Sequence, residues 1–269
     1  MGVTNSEKTM ILAIDIGNTN IVFGIFEADD LVMSWRVSTL EERTADEFWV
    51  LLSNLLTVKK VDCAGIEGVV LASVVPALTQ PISDMITNEL NRPILTVNES
   101  NAGLPIRYKA PMEIGADRLV NSVAARHLYG KISRGLVVVD FGTATTFDAI
   151  SADGHYQGGV ICPGVNISAD ALFHRAARLP RVAVDKPTQL VGRTTVDAIR
   201  SGLFFGHVSM VEGIVTRIKG DVGMTSNEAA VCVATGGLAN VIADEIDIID
   251  YVNENLTLIG LKLVWERNM

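Results

Sequence analysis

The chain of 269 residues has only three cysteines, Cys63, Cys162 and Cys232. They are odd in number and far apart, without a C-x-x-C pair, which predicts reduced, packed thiols and no disulfide framework. No apolar stretch reaches the roughly 18 residues that a membrane span requires. The polar residues 1–9 also lack the apolar segment of a signal peptide. We therefore expect a cytoplasmic protein with no membrane partner.

Positive charge is scarce as well. The 22 Lys and Arg residues are outnumbered by 31 Asp and Glu residues, which gives a formal net charge of −9. Proteins that bind nucleic acid usually carry a basic surface, so we expect no nucleic-acid partner. An anionic ligand would have to be met by local positive groups. Low-complexity segments and Ser/Gly linkers are also missing, while 48% hydrophobic residues suffice for a sizeable core.

One stretch near the start, residues 10–26, has the pattern strand, turn, strand. Its first apolar run stops at Asp15, the turn is Gly17-Asn18-Thr19-Asn20, and the second apolar run follows at once. Glycine lets backbone N–H groups approach an anion, and a carboxylate can hold a hydrated cation. The stretch is typical either of a phosphate-binding turn or of an ordinary hairpin with a left-handed Asn.

A second stretch repeats this pattern about half a chain length later. The apolar residues 135–141 lead into Asp140-Phe-Gly142-Thr-Ala144-Thr145, and Asp140 and Gly142 correspond to Asp15 and Gly17. A repeat of this length indicates duplicated domains and not a solenoid. Two acid-tipped turns in equivalent positions favour phosphate binding over the plain hairpin.

Between the two turns, strand patterns alternate with helix patterns, which predicts an α/β architecture. An irregular stretch, 98–112, contains Arg107, Tyr108 and Lys109 and leads into a helix that opens at Gly115-Ala116-Asp117-Arg118. Adjacent opposite charges at a helix start are either a solvated cap or part of a binding site. A domain boundary is expected near 112–118.

A long helix is predicted after Gly192-Arg193-Thr194-Thr195. It contains Gly202, Gly206 and Gly213, and glycine is unfavourable inside a helix. We therefore expect another helix to pack close to its backbone, within the chain or between subunits.

Taken in order, these motifs resemble the type III pantothenate kinase family of the acetate and sugar kinase, heat-shock chaperone and actin superfamily. The resemblance covers nearly the whole chain after residue 10. The motifs are Asp15-Ile-Gly-Asn-Thr-Asn20, Tyr108, Gly115-Ala-Asp-Arg118, Asp140-Phe-Gly-Thr-Ala144, Gly158-Gly159, Pro163-Gly164, Gly192-Arg-Thr-Thr195 and Thr235-Gly-Gly237. Thr194 is a departure, since the family more often has Asn or Ser there.

The resemblance implies two duplicated ribonuclease-H-like α/β domains that face a nucleotide cleft. The expected domains are 10–114 and 115–269, with the last helix packed back on the first. The implied activity is ATP-dependent phosphorylation of pantothenate to 4'-phosphopantothenate, the first step of coenzyme A biosynthesis. Family members are usually homodimers with the pantothenate pocket at the subunit interface.

The resemblance also implies residue roles. Asp117 would be the general base of a pantothenate pocket, Asp15 would lie near the Mg²⁺ of ATP, and Asp140 would hold a monovalent cation, K⁺ or NH₄⁺. The pantothenate pocket would comprise Tyr108, Gly115, Ala116, Asp117, Arg118 and Thr195. The ATP-binding residues would be Asp15, Ile16, Gly17, Asn18, Thr19, Asn20, Ile21, Val22, Thr143, Gly236 and Gly237.

The sequence leaves two alternatives to a pantothenate kinase open. One is a non-catalytic regulatory accessory factor related to the family, and the other is a kinase or phosphohydrolase of the same superfamily that acts on a sugar or polyphosphate. The presence of Asp15, Asp117, Arg118 and Asp140 favours an enzyme. We expect Asp117 to be ionised at neutral pH, because a helix N-terminus and Arg118 both favour the anion.

Overall fold

The computed structural model describes residues 9–130, 134–176, 179–223 and 230–269. These residues form two five-stranded mixed sheets with helices packed on them. The α/β class and the two-domain organisation predicted from the sequence are confirmed. None of the described helices is both long and apolar enough to cross a membrane.

The chain divides into two compact units, each assembled from separate segments. The first unit comprises residues 9–103, 110–124 and 256–269, and the second comprises residues 104–109 and the described residues of 125–255. The domain ranges expected from the sequence, 10–114 and 115–269, stay a prediction.

The helices and strands follow the periodicities of the sequence. The strands are β1 (Met10–Ile16), β2 (Asn20–Glu27), β3 (Asp30–Ser38), β4 (Ile66–Ser73), β5 (Ile94–Thr96), β6 (Leu136–Phe141), β7 (Ala144–Ile150), β8 (Tyr156–Pro163), β9 (Val231–Gly236) and β10 (Tyr251–Val252). The helices are α1 (Ala45–Lys59), α2 (Pro76–Met85), α3 (Ala116–Tyr129), α4 (Val165–Arg175), α5 (Thr195–Gly223), α6 (Ala239–Ala243) and α7 (Leu256–Asn268). Short 3₁₀ turns lie at Cys63–Gly65 and Pro111–Glu113, and a π-helical turn at Ile86–Leu90.

The sheet of the first unit has the order β3-β2-β1-β4-β5. β1, β2 and β3 are antiparallel neighbours, whereas β1, β4 and β5 run parallel. The predicted opening hairpin is therefore present, with Asp15 opposite Val22. The sheet of the second unit has the order β10-β9-β6-β7-β8, and its strands pair with the same directions. Equal connectivity in both sheets explains why the Asp15 and Asp140 motifs repeat.

Helix α1 shows how the sequence fixes an element of the first unit. Thr44 is its N-cap and forms a capping box with Glu47, in which each side chain bonds the backbone of the other residue. The buried side chains of Phe48, Leu52 and Leu56 recur every four residues and join the core beneath the sheet.

Helix α2 ends earlier than the apolar pattern indicates. The sequence predicts one helix from Pro76 towards Leu90, but regular α-helix stops at Met85 and a π-helical turn follows. The residues Ile82, Ile86 and Leu90 are all buried in the core. Their four-residue spacing fits either type of helix, so the apolar pattern alone does not distinguish the two.

Helix α5 packs one face on the second sheet through Phe204, Val208, Val211 and Val215. Apart from the helix's own backbone, no described atom lies within 4 Å of the place where a Cβ on Gly202 or Gly206 would stand. The expectation that another helix of the same chain packs on these glycines is therefore wrong for the described residues. A contact between subunits stays a prediction.

Glycine is required where α7 crosses α3 in the first unit. A Cβ on Gly260 would overlap the backbone carbonyl of Val120 and lie 2.9 Å from the Val120 Cβ. Backbone cannot move aside like a flexible side chain. Close approach of the two helix backbones therefore depends on the absence of a side chain at this position.

We expect Gly260→Ala to lower the free energy of unfolding by about 1–3 kcal/mol, the usual effect of overpacking. In an unobstructed helix the same change would stabilise the protein by up to about 1 kcal/mol. Urea unfolding measures the difference. Gly220→Ala in α5 is the matched control, because Gly220 is exposed and has no described neighbour within 4 Å. Equal or higher stability of Gly260→Ala would contradict this account of the helix crossing.

Candidate functional site

The turn after β1 is closed by a hydrogen bond within its own backbone and is held by hydrogen bonds from Thr39, the residue that follows β3. Gly17 N–H donates to the Asn20 carbonyl oxygen at 3.0 Å. The Thr39 hydroxyl donates to the Gly17 carbonyl at 2.6 Å, and Thr39 N–H donates to the Thr19 carbonyl at 3.0 Å. The sequence singled out the turn but not Thr39, which belongs to no recognisable motif.

The Gly115–Arg118 segment starts α3 beside the end of β4. Val74 follows β4, and its N–H donates to the Ile16 carbonyl of β1 at 3.0 Å. A Cβ on Gly115 would lie 3.4 Å from Val74 Cγ1 and would overlap the Asp117 carboxylate. The parallel pairing of β1 with β4 therefore brings Asp15 and Asp117 to the same edge of the first sheet.

The Asp117 carboxylate is held by the helix that it begins. Its Oδ1 accepts a hydrogen bond from the Arg118 N–H at 2.8 Å. Free N–H groups of a first helical turn attract an anion, so this bond favours the ionised carboxylate. The Asp117 carboxylate is thus hydrogen-bonded to the backbone of the first turn of α3.

The turn after β6 combines residues from two parallel strands of the second unit. β6 pairs with β9, so Asp140 and Phe141 lie opposite Thr235 and Gly236. Gly236 has φ +90°, and a Cβ there would lie 2.6 Å from Asp140 Oδ1. Gly237 N–H donates to the Phe141 carbonyl at 3.2 Å. The structure thus brings Asp140, Gly236 and Gly237 together at one edge of the second sheet, and the cation role of Asp140 and the ATP role of the two glycines stay predictions.

Pro163-Gly164 lies against the same turn. Gly164 N–H donates to the Thr143 carbonyl at 3.2 Å, and a Cβ on Gly164 would stand 2.8 Å from the Gly142 carbonyl. Helix α4 begins directly after Gly164. The glycine-rich sequence before this helix therefore serves close packing against the exposed residue Thr143.

Two further predicted residues lie on separate elements of the second unit. Tyr108 is 38% exposed, and its ring is in edge-to-face contact with Tyr156. Thr195 is the exposed first residue of α5. Thr194 caps α5, because its hydroxyl accepts from Asp197 N–H at 3.1 Å and donates to the Asp197 carboxylate at 2.7 Å. Threonine, like Asn or Ser, is a good cap, which accounts for this departure from the family pattern.

The sequence comparisons identify the family. The model of the family described as type III pantothenate kinase matches residues 11–217. The chain belongs to this family. A type III pantothenate kinase from Moorella thermoacetica is 50% identical over 260 residues, covering 96% of this chain and 100% of the relative. One from Syntrophotalea carbinolica is 46% identical with 96% and 99% coverage.

Solved structures support the fold independently. A structure described as a conserved putative Baf family transcriptional activator from Campylobacter jejuni superposes with a TM-score of 0.59 at 21% identity, covering 96% of this chain and 98% of its own. A putative 2-dehydro-3-deoxygalactonokinase from Sinorhizobium meliloti gives 0.56 at 16% identity, with 95% and 96% coverage. At such low identity these likenesses establish the fold alone. Family membership makes the chain a kinase, and the family requires ATP and a divalent metal ion.

The carboxylates of the two turns are suitable ligands for a cation that is also coordinated by phosphate groups. In the described parts of the chain no group of three His, Cys, Asp or Glu side chains converges as a metal site would require. Mg²⁺ in kinases is usually held by one or two carboxylates together with substrate phosphates. Gly236 lets the backbone approach the Asp140 carboxylate closely, and carboxylate oxygens are the ligands that hard cations prefer. A carboxylate at the end of each sheet is thus a suitable partner for a hard cation.

The pKa of Asp117 is shifted by its surroundings. Burial raises this pKa above the ordinary value of 3.8, while the Arg118 N–H and the Arg118 charge act in the opposite direction. Burial outweighs both favourable contacts. The expectation from helix dipole and Arg118 therefore omitted the largest contribution, since only the tertiary structure shows the burial. A raised pKa makes the Asp117 carboxylate a stronger base than an exposed aspartate.

Asp117 is expected to weaken the fold as pH rises. Because its pKa is raised on folding, its stabilising contribution is complete below the unfolded pKa and is lost as pH rises through the folded pKa. Asp117→Asn removes this dependence, so the stability of the variant relative to the wild type should rise between the unfolded pKa of 3.8 and the higher folded pKa, and should be constant above it. Urea unfolding at several pH values measures this difference. Asp46→Asn, at the exposed start of α1, is the control. A pH-independent difference for Asp117→Asn would contradict the burial effect.

Proposed function

We propose that this chain transfers the γ-phosphoryl group of ATP to the primary hydroxyl of pantothenate and forms 4'-phosphopantothenate for coenzyme A biosynthesis. The observation that carries the proposal is the family match over residues 11–217, because it includes both Asp-Gly turns and the acid that begins α3. The similarity to phosphotransferases thus extends to the residues that are proposed to bind ATP and pantothenate.

ATP is proposed to bind through the two turns. Backbone N–H groups of a tight glycine turn can approach phosphate oxygens closely, and no bulky side chain obstructs them. Mg²⁺ bound near Asp15 would neutralise charge on the phosphates. The ATP-binding residues are proposed to be those of the first turn, 15–22, together with Thr143, Gly236 and Gly237.

Pantothenate is proposed to bind through Tyr108, Gly115, Ala116, Asp117, Arg118 and Thr195. The guanidinium of Arg118 can form two parallel, charge-assisted hydrogen bonds with the pantothenate carboxylate. Asp117 is the proposed general base, which accepts the proton of the attacking hydroxyl. Phosphoryl transfer passes through a loose transition state in which little early deprotonation is needed. Orienting that hydroxyl is therefore the main task of Asp117, and its raised pKa supports the later proton transfer.

A monovalent cation, K⁺ or NH₄⁺, is proposed to bind at Asp140. The support is the Asp140 carboxylate itself, an oxygen ligand at the end of β6 in the turn that Gly236 approaches. A cation there would add positive charge next to Thr143. The protein as a whole supplies little positive charge, because its formal net charge is −9. The cytoplasm is the proposed compartment.

A homodimer is proposed to form through α5 and its surroundings. The Gly202 and Gly206 face of α5 borders an open groove of about 490 Å³ that is lined also by Leu190, Val191 and Phe205. Leu190 is 65% exposed and Val191 78% exposed. Apolar side chains beside a bare helix backbone suit a second helix at close distance. A second copy of the chain would supply such a helix.

The catalytic proposal is tested by an ADP-release assay with pantothenate, a sugar panel and polyphosphate, each with and without K⁺ or NH₄⁺. Of these acceptors, we expect only pantothenate to support turnover. Asp117→Asn should lower kcat by roughly a hundredfold or more while ATP binding persists. Asp46→Asn should match the wild type. Near-normal turnover of Asp117→Asn would remove Asp117 from the mechanism. No turnover by the wild type with pantothenate would favour the accessory-factor alternative.

The dimer proposal is tested by sedimentation velocity. The wild type should sediment with twice the mass of the 28.9 kDa chain. Gly206→Leu should fold, because no described atom lies within 4 Å of the place where its Cβ would stand and the side chain would extend into the open groove, but it should be monomeric. Gly220→Leu, further along the same helix, should stay dimeric. A dimeric Gly206→Leu protein would exclude the α5 face as the interface.

A further inference from the structure

The segment Leu104–Lys109, which carries Tyr108, is attached to the first residue of β8. Tyr156 N–H donates to the Pro105 carbonyl at 2.8 Å, and Arg107 N–H donates to the Tyr156 carbonyl at 2.8 Å. Ile106 and Tyr156 form a parallel β-bridge. The backbone of one strand residue thus holds this segment on both sides, and Tyr108 follows directly after the bridge.

The side chain of Tyr156 is itself fixed. Its ring is fully buried, and its hydroxyl donates to Asp148 Oδ1 on β7 at 2.7 Å. Asp148 is also buried. A tyrosine held at the backbone and at the hydroxyl has little freedom to move its ring. The carboxylate of Asp148 therefore fixes the position of the aromatic surface that Tyr156 offers to its neighbours.

The ring of Tyr108 rests on that surface. The centroids of the two tyrosine rings are 6.2 Å apart with an interplanar angle of 74°, the edge-to-face arrangement that aromatic pairs prefer. Tyr108 keeps 38% of its surface exposed. The contact with Tyr156 thus restricts the orientation of the Tyr108 ring and leaves a large part of it accessible to a ligand.

A second contact depends on glycine. Gly158 has φ +118°, and a Cβ at this position would lie 3.1 Å from both Cδ2 and Cε2 of Tyr108. Any other residue would be strained in this backbone conformation and would push against the ring. Gly158 belongs to the Gly158-Gly159 motif, to which the proposed function gives no task. Its position against Tyr108 supplies one.

The surface contacts of the same segment are too weak to explain its placement. Arg107 forms an ion pair with Asp153 at 2.9 Å, and both side chains are about half exposed. Hydrogen bonds from Ser151 and His155 and the Arg107 charge lower the pKa of Asp153 to about 2. Exposed pairs of this kind contribute little to stability. The buried contacts of Tyr156 and the space at Gly158 are therefore the main constraints on Tyr108.

We propose that Tyr156, fixed by Asp148, and Gly158 are positioning residues that hold the Tyr108 ring in the orientation in which it contacts pantothenate. This proposal rests on the proposed substrate role of Tyr108. Preorganisation of a ligand-binding side chain improves affinity because less freedom is lost on binding. The two residues thus act on pantothenate binding through Tyr108 and not through ATP or the phosphoryl transfer itself.

The kinetic test compares Gly158→Ala, Tyr108→Ala and the double variant. We expect Gly158→Ala to raise the KM for pantothenate roughly three- to tenfold, the range of an aromatic contact, with kcat and the KM for ATP within about twofold. In the double variant the Gly158 change should add nothing further. Gly220→Ala is the matched control. Additive effects of the Gly158 and Tyr108 changes would overturn the proposal.

A spectroscopic test reports on the ring without relying on activity. The chain has four tyrosines, so 3-fluorotyrosine labelling should give four ¹⁹F resonances that single Tyr→Phe variants assign. Gly158→Ala should shift the Tyr108 resonance, and Gly220→Ala should not. Tyr156→Phe keeps the ring, removes only its hydroxyl, and should also shift that resonance. It takes the place of Gly158→Ala in both tests if the latter does not fold. An unmoved Tyr108 resonance in the folded variants overturns the proposal.

The two tests separate the positioning role from the proposed function. If Tyr108→Ala leaves the KM for pantothenate unchanged, the substrate role of Tyr108 has failed, and the proposal fails with it. If Tyr108→Ala raises this KM but Gly158→Ala and Tyr156→Phe do not, the positioning role alone has failed. A shifted resonance together with a raised KM supports both.

Discussion

Parallel pairing of the first strand with the fourth strand of each sheet is the constraint on which the remaining structure depends. β1 pairs with β4, and β6 pairs with β9. Carboxyl ends of parallel strands meet at one edge, so the turns that follow Asp15 and Asp140 each lie beside the end of a neighbouring strand. That neighbour supplies Val74 in the first unit and Gly236 in the second. The chemistry proposed for this kinase depends on those two edges.

In each unit, glycines that lack a side chain shape the edge of the sheet as much as the carboxylates do. Gly236 approaches Asp140, Gly164 approaches the carbonyl groups of Gly142 and Thr143, and Gly115 leaves room for Asp117. Each approach is to a backbone atom or a carboxylate, which cannot yield without a change in the turn itself. Glycine in these motifs therefore allows close packing. The same lack of a side chain would allow the proposed contact with phosphate.

Burial gives Asp117 a property that its neighbours in sequence do not suggest. Beside Arg118 and at a helix start it would be an unusually strong acid, but its burial raises the pKa instead. A carboxylate that loses hydration weakens the fold and becomes a better base. The proposed catalytic role and the expected instability of this residue thus have the same physical cause.

The sequence by itself determined the α/β class, the duplication, the two Asp-Gly turns and the family. Apolar periodicity and an ordered set of motifs express these features locally, so no long-range contact is needed to recognise them. Only the tertiary structure decided that Thr39 holds the first turn by hydrogen bonds, that no described neighbour packs on Gly202 and Gly206 of α5, and that Tyr156 and Gly158 contact Tyr108. These contacts join residues that are distant in sequence, and their side chains carry no local pattern, because burial and contact arise only when the sheets and helices pack.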